Sequence, residues 1–518
     1  MSDLAVVTLA LAAAAGAWSA AGPHPLVGLG VAAAGMMTRR PWLVVVAVAV
    51  LASGLGQRAW AGLTPPEPAP FRGWVTLLSD PVDDDGRIRA DVRLHGHHLE
   101  ATIRGAAAAS VAERLAGERL FVAGRVGPPP PHAPWLTVRH VVGRLTVSEV
   151  DGWVVGSPVS RLANGVRRTL LRGAASLDPR QRSLFAGFVL GDRRDQPEEI
   201  TDNFRAAGLS HLLAVSGQNV AFVLALTGPL LRRLDLRSRF IATVATIGFF
   251  ALITRFEPSV LRASAMAGLA ALAATLGRES TSLRLLALAV TGLVLVDPLL
   301  VHSVGFQLSV AASASIVMLA PPIARRLPGP RFLGDALAVT IAAQVGVAPV
   351  LVATFGGAPV AGLVANPLAV PAAGPVMMWG LSAGLVAGFV GGPVAALIHV
   401  PTRLLLAWAA AVANHAAALP LGEVRGGHLL AMGIVAVGFL AWRRTPARLR
   451  ATLNLAGAAL AAVVLVLALA HPAGAAAEVR AGVGVRSPGA ARARAPPGRY
   501  RHSVDGRRSS RCPDRDIA

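Results

Sequence analysis

The sequence predicts an all-α polytopic membrane bundle of about 13 transmembrane helices, interrupted by one small inserted β-barrel domain. Apolar residues make up 54% of the 518 residues and charged residues only 15%, whereas a soluble protein carries about 25% charged residues. The apolar residues form long uninterrupted runs, as membrane-spanning helices do. Between the third and fourth runs the pattern changes to short alternating segments, which is typical of β-strands.

Residues 1–57 contain the first three predicted transmembrane helices. The apolar runs lie at residues 4–21, 26–37 and 42–56. The first run lacks the basic segment that precedes the apolar part of a signal peptide, and further apolar runs follow at once. We therefore predict that this run stays in the membrane. A proline-rich linker separates the third run from the next domain.

Residues 70–152 predict a small OB-like β-barrel domain. Five β-type runs lie at residues 74–78, 87–94, 99–104, 119–126 and 141–147. An alanine-rich helix is predicted at residues 106–115, between the third and fourth strands, and this order of elements is that of the OB-fold. Such barrels often bind oligonucleotides.

Three arginines on the second predicted strand are the candidates for DNA binding in this domain. Arg87, Arg89 and Arg93 alternate along the strand, so they lie on one of its faces. The arginines and the acidic residues of the whole domain balance, so its net charge is close to zero. That balance weakens the DNA-binding interpretation, since nucleic-acid sites carry a basic surface.

An amphipathic connector, residues 158–200, leads into a second membrane region, residues 201–471. Helices are predicted there near residues 209–231, 240–254, 259–277, 284–296, 302–320, 335–355, 359–388, 394–419, 428–442 and 451–470. The segment 359–388 is predicted to be broken by Pro367, Pro371 and Pro375. Broken helices are tolerated where their backbone lines a cavity.

The distribution of arginine predicts the orientation of the bundle. With the N-terminus in the cytoplasm, the arginine clusters of the bundle loops fall on the cytoplasmic side: Arg39–Arg40, Arg232–Arg239, Arg278–Arg284, Arg325–Arg331 and Arg443–Arg450. The sequence therefore predicts a multi-pass protein of the cell (plasma) membrane with an extracellular β domain. This topology explains most of the formal charge of +21 without any nucleic acid.

A polar stretch at the start of the predicted helix 209–231 carries the first candidate functional residues. Ser210, His211, Ser216 and Asn219 lie in it, and polar groups at membrane depth are costly unless they face protein or water. His211 and Ser216 lie roughly 140° apart around a helix, which argues against a hydrolase pair. The alternative to a functional role is helix capping and helix–helix contact.

This stretch, Gly208–Val220, resembles the signature of the ComEC competence family, whose members usually carry a histidine where this chain has Asn219. Further segments resemble motifs of the family in the same order: Ala186–Arg193, Ser259–Ala263 with Met266, Gly305–Ser309, and Ala365–Leu368 with Pro371. The resemblance extends from about Leu184 to Leu385. No single motif is decisive, but several motifs in the same order make the resemblance specific.

The resemblance implies a membrane channel that imports single-stranded DNA during natural competence and transformation, with the OB-like domain near its mouth. The candidates for the DNA path are His211, Ser216, Gly217, Asn219, Arg262, Gln307, Ser309 and Asn366. The implied partners are single-stranded DNA, membrane lipid, an extracellular DNA receptor, a cytoplasmic ATP-driven helicase and a separate nuclease. For Arg262 the alternative is snorkelling to the interface, and for Asn366 it is a helix end before proline.

We predict no catalytic residue, no metal site and no cofactor in this chain. His95, His97 and His98 with Asp83–Asp85 lie in predicted turns, so metal binding is the less favoured interpretation. The sequence has no glycine-rich phosphate loop. Two alternatives to the channel stay open: a transporter of a small solute or an envelope precursor, and a truncated non-functional remnant.

The C-terminal residues differ from those of many ComEC relatives, which continue into a metallo-β-lactamase-like domain with a histidine-rich metal motif. That motif is absent here. Residues 472–518 form a basic tail rich in Arg, Pro and Gly, which we expect to be disordered. Our hypothesis is a frameshift or truncation near residues 480–486, and the alternative is a natural short form with a basic tail.

Overall fold

The computed structural model describes residues 2–84, 86–130 and 133–431. Its helices are α1 (Asp3–Ser19), α2 (Pro25–Met37), α3 (Pro41–Ala61), α4 (Ala106–Ala112), α5 (Pro134–Val138), α6 (Pro158–Gly173), α7 (Pro179–Leu190), α8 (Glu198–Ala206), α9 (Gly217–Leu231), α10 (Leu236–Ile253), α11 (Pro258–Thr275), α12 (Ser282–Val296), α13 (Val304–Ala324), α14 (Arg331–Phe355), α15 (Gly362–Val390), α16 (Gly392–Ile398) and α17 (Val400–Ala418). Its strands are β1 (Ala69–Leu77), β2 (Val82–Asp84), β3 (Arg87–Leu94), β4 (His97–Arg104), β5 (Arg119–Gly127), β6 (Val141–Val154), β7 (Ala358–Pro359) and β8 (Glu423–Val424).

The apolar helices point to a membrane protein. Within the described residues, 6 helices are long and apolar enough to cross a membrane, or up to 7 if α16 and α17, which meet at a bend of 51°, form one span. The helices α1, α2 and α12 are apolar but shorter. Every helix predicted between residues 4 and 419 has a counterpart. The predicted helices 428–442 and 451–470 lie largely outside the described residues, and the predicted tail lies wholly outside them.

The predicted break in the segment 359–388 is wrong, because α15 is one continuous helix of 29 residues. Pro367, Pro371 and Pro375 lie four residues apart, so their missing N–H groups fall near one face of the helix. The hydrogen bonds on the other faces stay intact. The buried face of α15 is rich in Ala and Gly, which lets neighbouring helices approach closely and hold it.

The start of the predicted helix 209–231 also differs from the prediction. Ser210–Leu212 form a short 3₁₀ helix, and α9 begins only at Gly217, with Ser216 as its extended N-terminal cap. His211 and Ser216 therefore do not share one helix, and the angle predicted between them does not apply. The backbone at Gly208 has φ of +69°, a left-handed conformation that separates α8 from the 3₁₀ helix.

The sheet region has all five predicted strands, plus the short strand β2 and the helix α5. The strand β1 pairs antiparallel with β5 and, at Thr76 and Leu77, with β3. The strand β4 pairs antiparallel with β3 and parallel with β6, and β6 pairs antiparallel with β5. Each of these five long strands thus has two neighbours. Their inward side chains, such as Val75, Leu99 and Leu145, form one apolar core.

The predicted connector 158–200 is part of the bundle's core and not only a surface link. The residues from Ser183 to Leu190 on α7 are all buried, with Phe185 and Phe188 fully so. The helix α6 packs against α15, where a Cβ on Gly173 would lie 2.7 Å from the carbonyl oxygen of Gly384. Such glycine contacts let two helix backbones touch.

Candidate functional site

Arg262 is the charged residue at the centre of the candidate site. It lies on α11 and is half-buried. Its Nε donates to the hydroxyl of Ser309 on α13 at 2.8 Å, and its Nη1 lies 3.4 Å from the sulfur of Met266. No carboxylate of the described residues lies within 4 Å of it. The guanidinium therefore has no ion-pair partner among the described residues and keeps most of its five N–H donors free.

The start of α9 packs directly on this guanidinium. A Cβ on Gly217 would lie 2.8 Å from Nη2 of Arg262 and 2.9 Å from Cβ of Ala263. A side chain at position 217 would therefore force the guanidinium of Arg262 or the neighbouring part of α11 to shift. The hydroxyl of Ser259 on α11 donates to the carbonyl of Val215 at 2.6 Å and fixes this approach.

Ser216 lies next to Gly217 and carries an unused polar group. Its backbone caps α9, but its side chain makes no capping bond. Its Oγ is buried and has no hydrogen-bond partner among the described residues. Gly217, Arg262 and Ser309 are thus brought together, with Ser216 alongside, from three different helices or their ends.

Asn219 faces the core and not this group. It is fully buried, and its Nδ2 donates to the carbonyl of Phe188 on α7 at 3.2 Å. Its Oδ1 is buried without a partner among the described residues. Asn219 therefore ties α9 to the buried helix α7, which is a packing role.

Asn366 belongs to a second group of small and amide residues. Its Nδ2 donates to the carbonyl of Gly362 in its own helix at 2.7 Å. A Cβ on Gly362 would collide with the amide of Gln344 on α14, and a Cβ on Gly208 would lie 3.0 Å from Cα of Gly362. The alternative interpretation of Asn366, a helix end before proline, does not hold, because α15 continues past it.

Two further candidates lie apart from Arg262. The Nε2 of Gln307 donates to the carbonyl of Val301 at 2.7 Å and caps the 3₁₀ helix Pro298–His302. Gln307 and Ser309 are two residues apart on α13, so their side chains point in nearly opposite directions. His211 is exposed on the 3₁₀ helix Ser210–Leu212, and no hydrogen bond of the described residues joins it to Arg262.

The predicted arginine face of the sheet is largely neutralised. Arg87 and Arg89 both pair with Asp84, at 3.6 and 2.8 Å. Asp91 lies between Arg89 and Arg93 on the same strand face, where it pairs with Arg139. Arg93 differs from the other two because it has no such partner within the described residues and lines a cavity.

A buried ion cluster that was not predicted from the sequence joins the sheet to the bundle. Arg167 on α6 donates to Asp80 at 2.7 Å and to Asp192 at 2.9 Å, and its side chain is only 1% exposed. Arg255, after α10, donates to both oxygens of Asp80. Arg194 pairs with Asp192 at 2.6 Å. Five charged side chains from four segments of the chain thus meet in one place.

The two buried aspartates of the sheet region titrate in opposite directions. Burial alone would raise the pKa of Asp80, but Arg167 and Arg255 outweigh it and lower this pKa to about 2. Burial raises the pKa of Asp91 to about 6, since Arg139 compensates only in part and Glu100 lies opposite on β4. Asp80 therefore stabilises the fold at neutral pH, whereas ionised Asp91 destabilises it.

No three His, Cys, Asp or Glu side chains of the described residues converge to hold a metal ion. Two of the histidines considered for metal binding make other contacts. His98 contacts the carbonyl of Arg139, and the ring of His95 lies edge-on to that of Phe71.

The comparison with protein-family models decides the family. The model of the competence proteins matches residues 188–446. The chain belongs to the competence protein family. The matched region contains all the candidate path residues, from His211 to Asn366, whereas the sheet region precedes it. Membership of this family supports a role in competence DNA uptake and a membrane location.

Two curated relatives match this competence protein, each over about 200 residues. ComE operon protein 3 of Bacillus subtilis (strain 168) is 29% identical over 198 residues, which are 38% of this chain and 25% of the relative. The uncharacterized protein YcaI of Escherichia coli (strain K12) is 26% identical over 208 residues, 36% of this chain and 27% of that protein. The chain thus matches about a quarter of each relative's length. No solved structure matches it.

Proposed function

We propose that this competence protein is the membrane channel through which single-stranded DNA is imported. The observation that carries the proposal is Arg262, a cation in an apolar helix whose identified partners, Ser309 and Met266, are uncharged. An unpaired charge at membrane depth is expensive and marks an aqueous or ion path. Guanidinium groups bind phosphate through paired N–H donors, so a DNA strand is a fitting ligand.

The path we propose is narrower than the set of residues chosen from the sequence. Arg262, Ser309, Ser216 and Gly217 form its polar part, because they contact one another or adjoin in the fold. Asn219, Gln307 and Asn366 spend their amide donors on backbone carbonyls, so we assign them to holding the helices in place.

We propose a cytoplasmic N-terminus and an extracellular sheet region, and three contacts support this topology. Asp3, at the start of α1, pairs with Arg284 at the start of α12, and both lie on the predicted inner side. His140 of the sheet region pairs with Asp297, after α12. The strands β7 and β8 pair two loops that are both predicted outside.

We further propose that the sheet region is an OB-like barrel at the outer mouth. Its support is the ring of five strands with one parallel pair, β4 with β6, and the helix α4 between β4 and β5. The partners in this proposal are an extracellular DNA receptor, a cytoplasmic ATP-driven helicase and a separate nuclease. The chain itself guides the strand and catalyses no step.

The test is DNA uptake in a competent strain whose own copy of this gene is deleted. Wild-type protein is expected to restore transformation and uptake of labelled DNA, and an Arg262→Gln protein at the same membrane level is not. The matched control is Arg278→Gln, because Arg278 is exposed just after the same helix. Unchanged uptake after deletion would overturn the channel proposal.

A further inference from the structure

The outer surface of the sheet carries a row of polar side chains across three strands. Thr76 on β1 is paired with Arg93 on β3 on one side and with Arg119 on β5 on the other. Residues directly opposite in paired strands share a face. Both arginines are exposed, and neither has a carboxylate within 4 Å among the described residues.

Two aromatic rings lie one step further along the same strands. Trp74 on β1 is paired with Phe121 on β5, and the two rings meet edge to face with centroids 5.3 Å apart. Trp74 is 40% exposed. The guanidinium carbon of Arg119 lies 5.3 Å from the centre of the Trp74 ring. Aromatic faces interleaved with arginine are the usual platform for the bases of a single strand.

A cavity of about 410 Å³ opens at the arginine end of this surface. It is lined by Thr76, Arg93 and Arg119 from the sheet and by Leu252, Arg255 and Phe256 from the bundle. Ser157 and Ser160, at the start of α6, also line it. The cavity therefore offers positive charge where the sheet meets the bundle.

Several other arginines near this surface are already paired with carboxylates. Arg87 and Arg89 are held by Asp84, and Arg139 is held by Asp91 and Glu100. The familiar binding face of an OB-fold lies on its second and third strands, which here are β3 and β4. In this chain the ion pairs with Asp84, Asp91 and Glu100 occupy the arginines Arg87, Arg89 and Arg139 at that face.

We propose that a single DNA strand docks on the surface formed by Trp74, Phe121, Thr76, Arg93 and Arg119, with a base on Trp74 and a phosphate in the cavity. This proposal rests on the proposed function and deepens it, because it names where the strand first contacts the protein. A lipid headgroup also carries phosphate, but it has no aromatic plane to stack on Trp74. The surface thus fits a nucleotide better than a lipid.

The experiment measures binding of a labelled oligothymidylate to the full chain in nanodiscs of neutral lipid. Arg93→Gln with Arg119→Gln is expected to weaken binding about ten-fold and to lower the salt dependence by about one unit of log–log slope. Trp74→Ala is expected to weaken binding about ten-fold with little change in that slope. The matched control, Arg87→Gln with Arg89→Gln, removes two arginines from the same domain and is expected to bind like wild type.

The outcomes separate this surface from its rivals. Equal losses in the two arginine pairs would mean that only general charge matters, and they would overturn the proposal. If Trp74→Ala binds DNA like wild type, and the same variant binds anionic-lipid vesicles more weakly than wild type, the surface is assigned to lipid instead. Normal folding of each variant is checked by size-exclusion chromatography and thermal unfolding, each compared with wild type.

Failure of this surface and failure of the channel give different results in cells. If deletion abolishes uptake but the variant with Arg93→Gln and Arg119→Gln restores it fully, the surface is wrong and the channel stands. If deletion leaves uptake unchanged while the purified chain still needs Trp74 and Arg119 to bind DNA, the channel is wrong and the surface stands.

Discussion

Replacement of Asp80 by asparagine is the sharpest perturbation of the ion cluster between sheet and bundle. Asp80 is the only acceptor that Arg167 and Arg255 share within the described residues. Its pKa falls from 3.8 to about 2, and each unit is worth about 1.4 kcal/mol, so its charge contributes about 2.5 kcal/mol to stability. Because the pKa is lowered on folding, this contribution is complete above pH 3.8 and disappears as the pH falls through about 2.

Loss of the carboxylate also leaves two guanidinium groups close together in a buried place. Breaking a buried ion pair costs about 3–5 kcal/mol, so we expect Asp80→Asn to destabilise the fold by about 3 kcal/mol at neutral pH. The assay is denaturant unfolding of the full chain in detergent, in which proteolysis of the sheet region reports the unfolded fraction.

The matched control is Asp151→Asn. Asp151 pairs with Arg72 at 2.8 Å, but their side chains are 37% and 65% exposed, and such surface pairs contribute about 0–1 kcal/mol. Addition of Arg255→Gln to Asp80→Asn is expected to recover part of the loss, because it removes one uncompensated charge. Equal stability of Asp80→Asn and Asp151→Asn would refute the assignment of a buried, stabilising cluster.

Three further predictions concern single side chains. Gly217→Ala is expected to destabilise the bundle by about 1–3 kcal/mol and to reduce DNA uptake, because the added Cβ would meet Arg262. The control in thermal unfolding is Gly228→Ala, because a Cβ at this position of the same helix meets no other atom. Ser309→Ala removes the hydroxyl that accepts from Arg262, and we expect a loss of about 1.5–3 kcal/mol in the same measurement, with Ser309→Thr retaining more stability. Asp91→Asn is expected to remove a pH dependence. Wild type should lose about 2.5 kcal/mol of unfolding free energy relative to the variant between pH 4 and pH 8, because the pKa of Asp91 is raised from 3.8 to about 6. Parallel pH curves for the two proteins would contradict it.

Local pattern predicted the helices and strands because each depends on neighbours in the sequence. Apolar runs predicted the membrane helices, and alternation predicted strands such as β3 and β4 within a residue or two. The same local pattern misjudged the prolines of α15, since contacts with other helices decide whether a proline breaks a helix. It also missed the burial of α7, which depends on the helices around it.

The candidate site was predictable only in part. Motif resemblance selected Gly217, Arg262 and Ser309, which the fold brings together. Resemblance could not separate these residues from Asn219 and Gln307, because an amide at a helix end serves packing as readily as transport. The ion cluster escaped notice because Arg167 and Arg255 lie 87 and 175 residues from Asp80 along the chain.

The most direct test of the channel is transport by the purified chain in sealed proteoliposomes. Labelled single-stranded DNA is added outside, external nuclease then destroys what has not entered, and the protected label is counted. We predict protected single strands with wild-type protein and far fewer with Arg262→Gln, while Arg278→Gln matches wild type. A protein that binds DNA at the surface but protects no more than empty liposomes, with or without a driving helicase inside, would contradict the account.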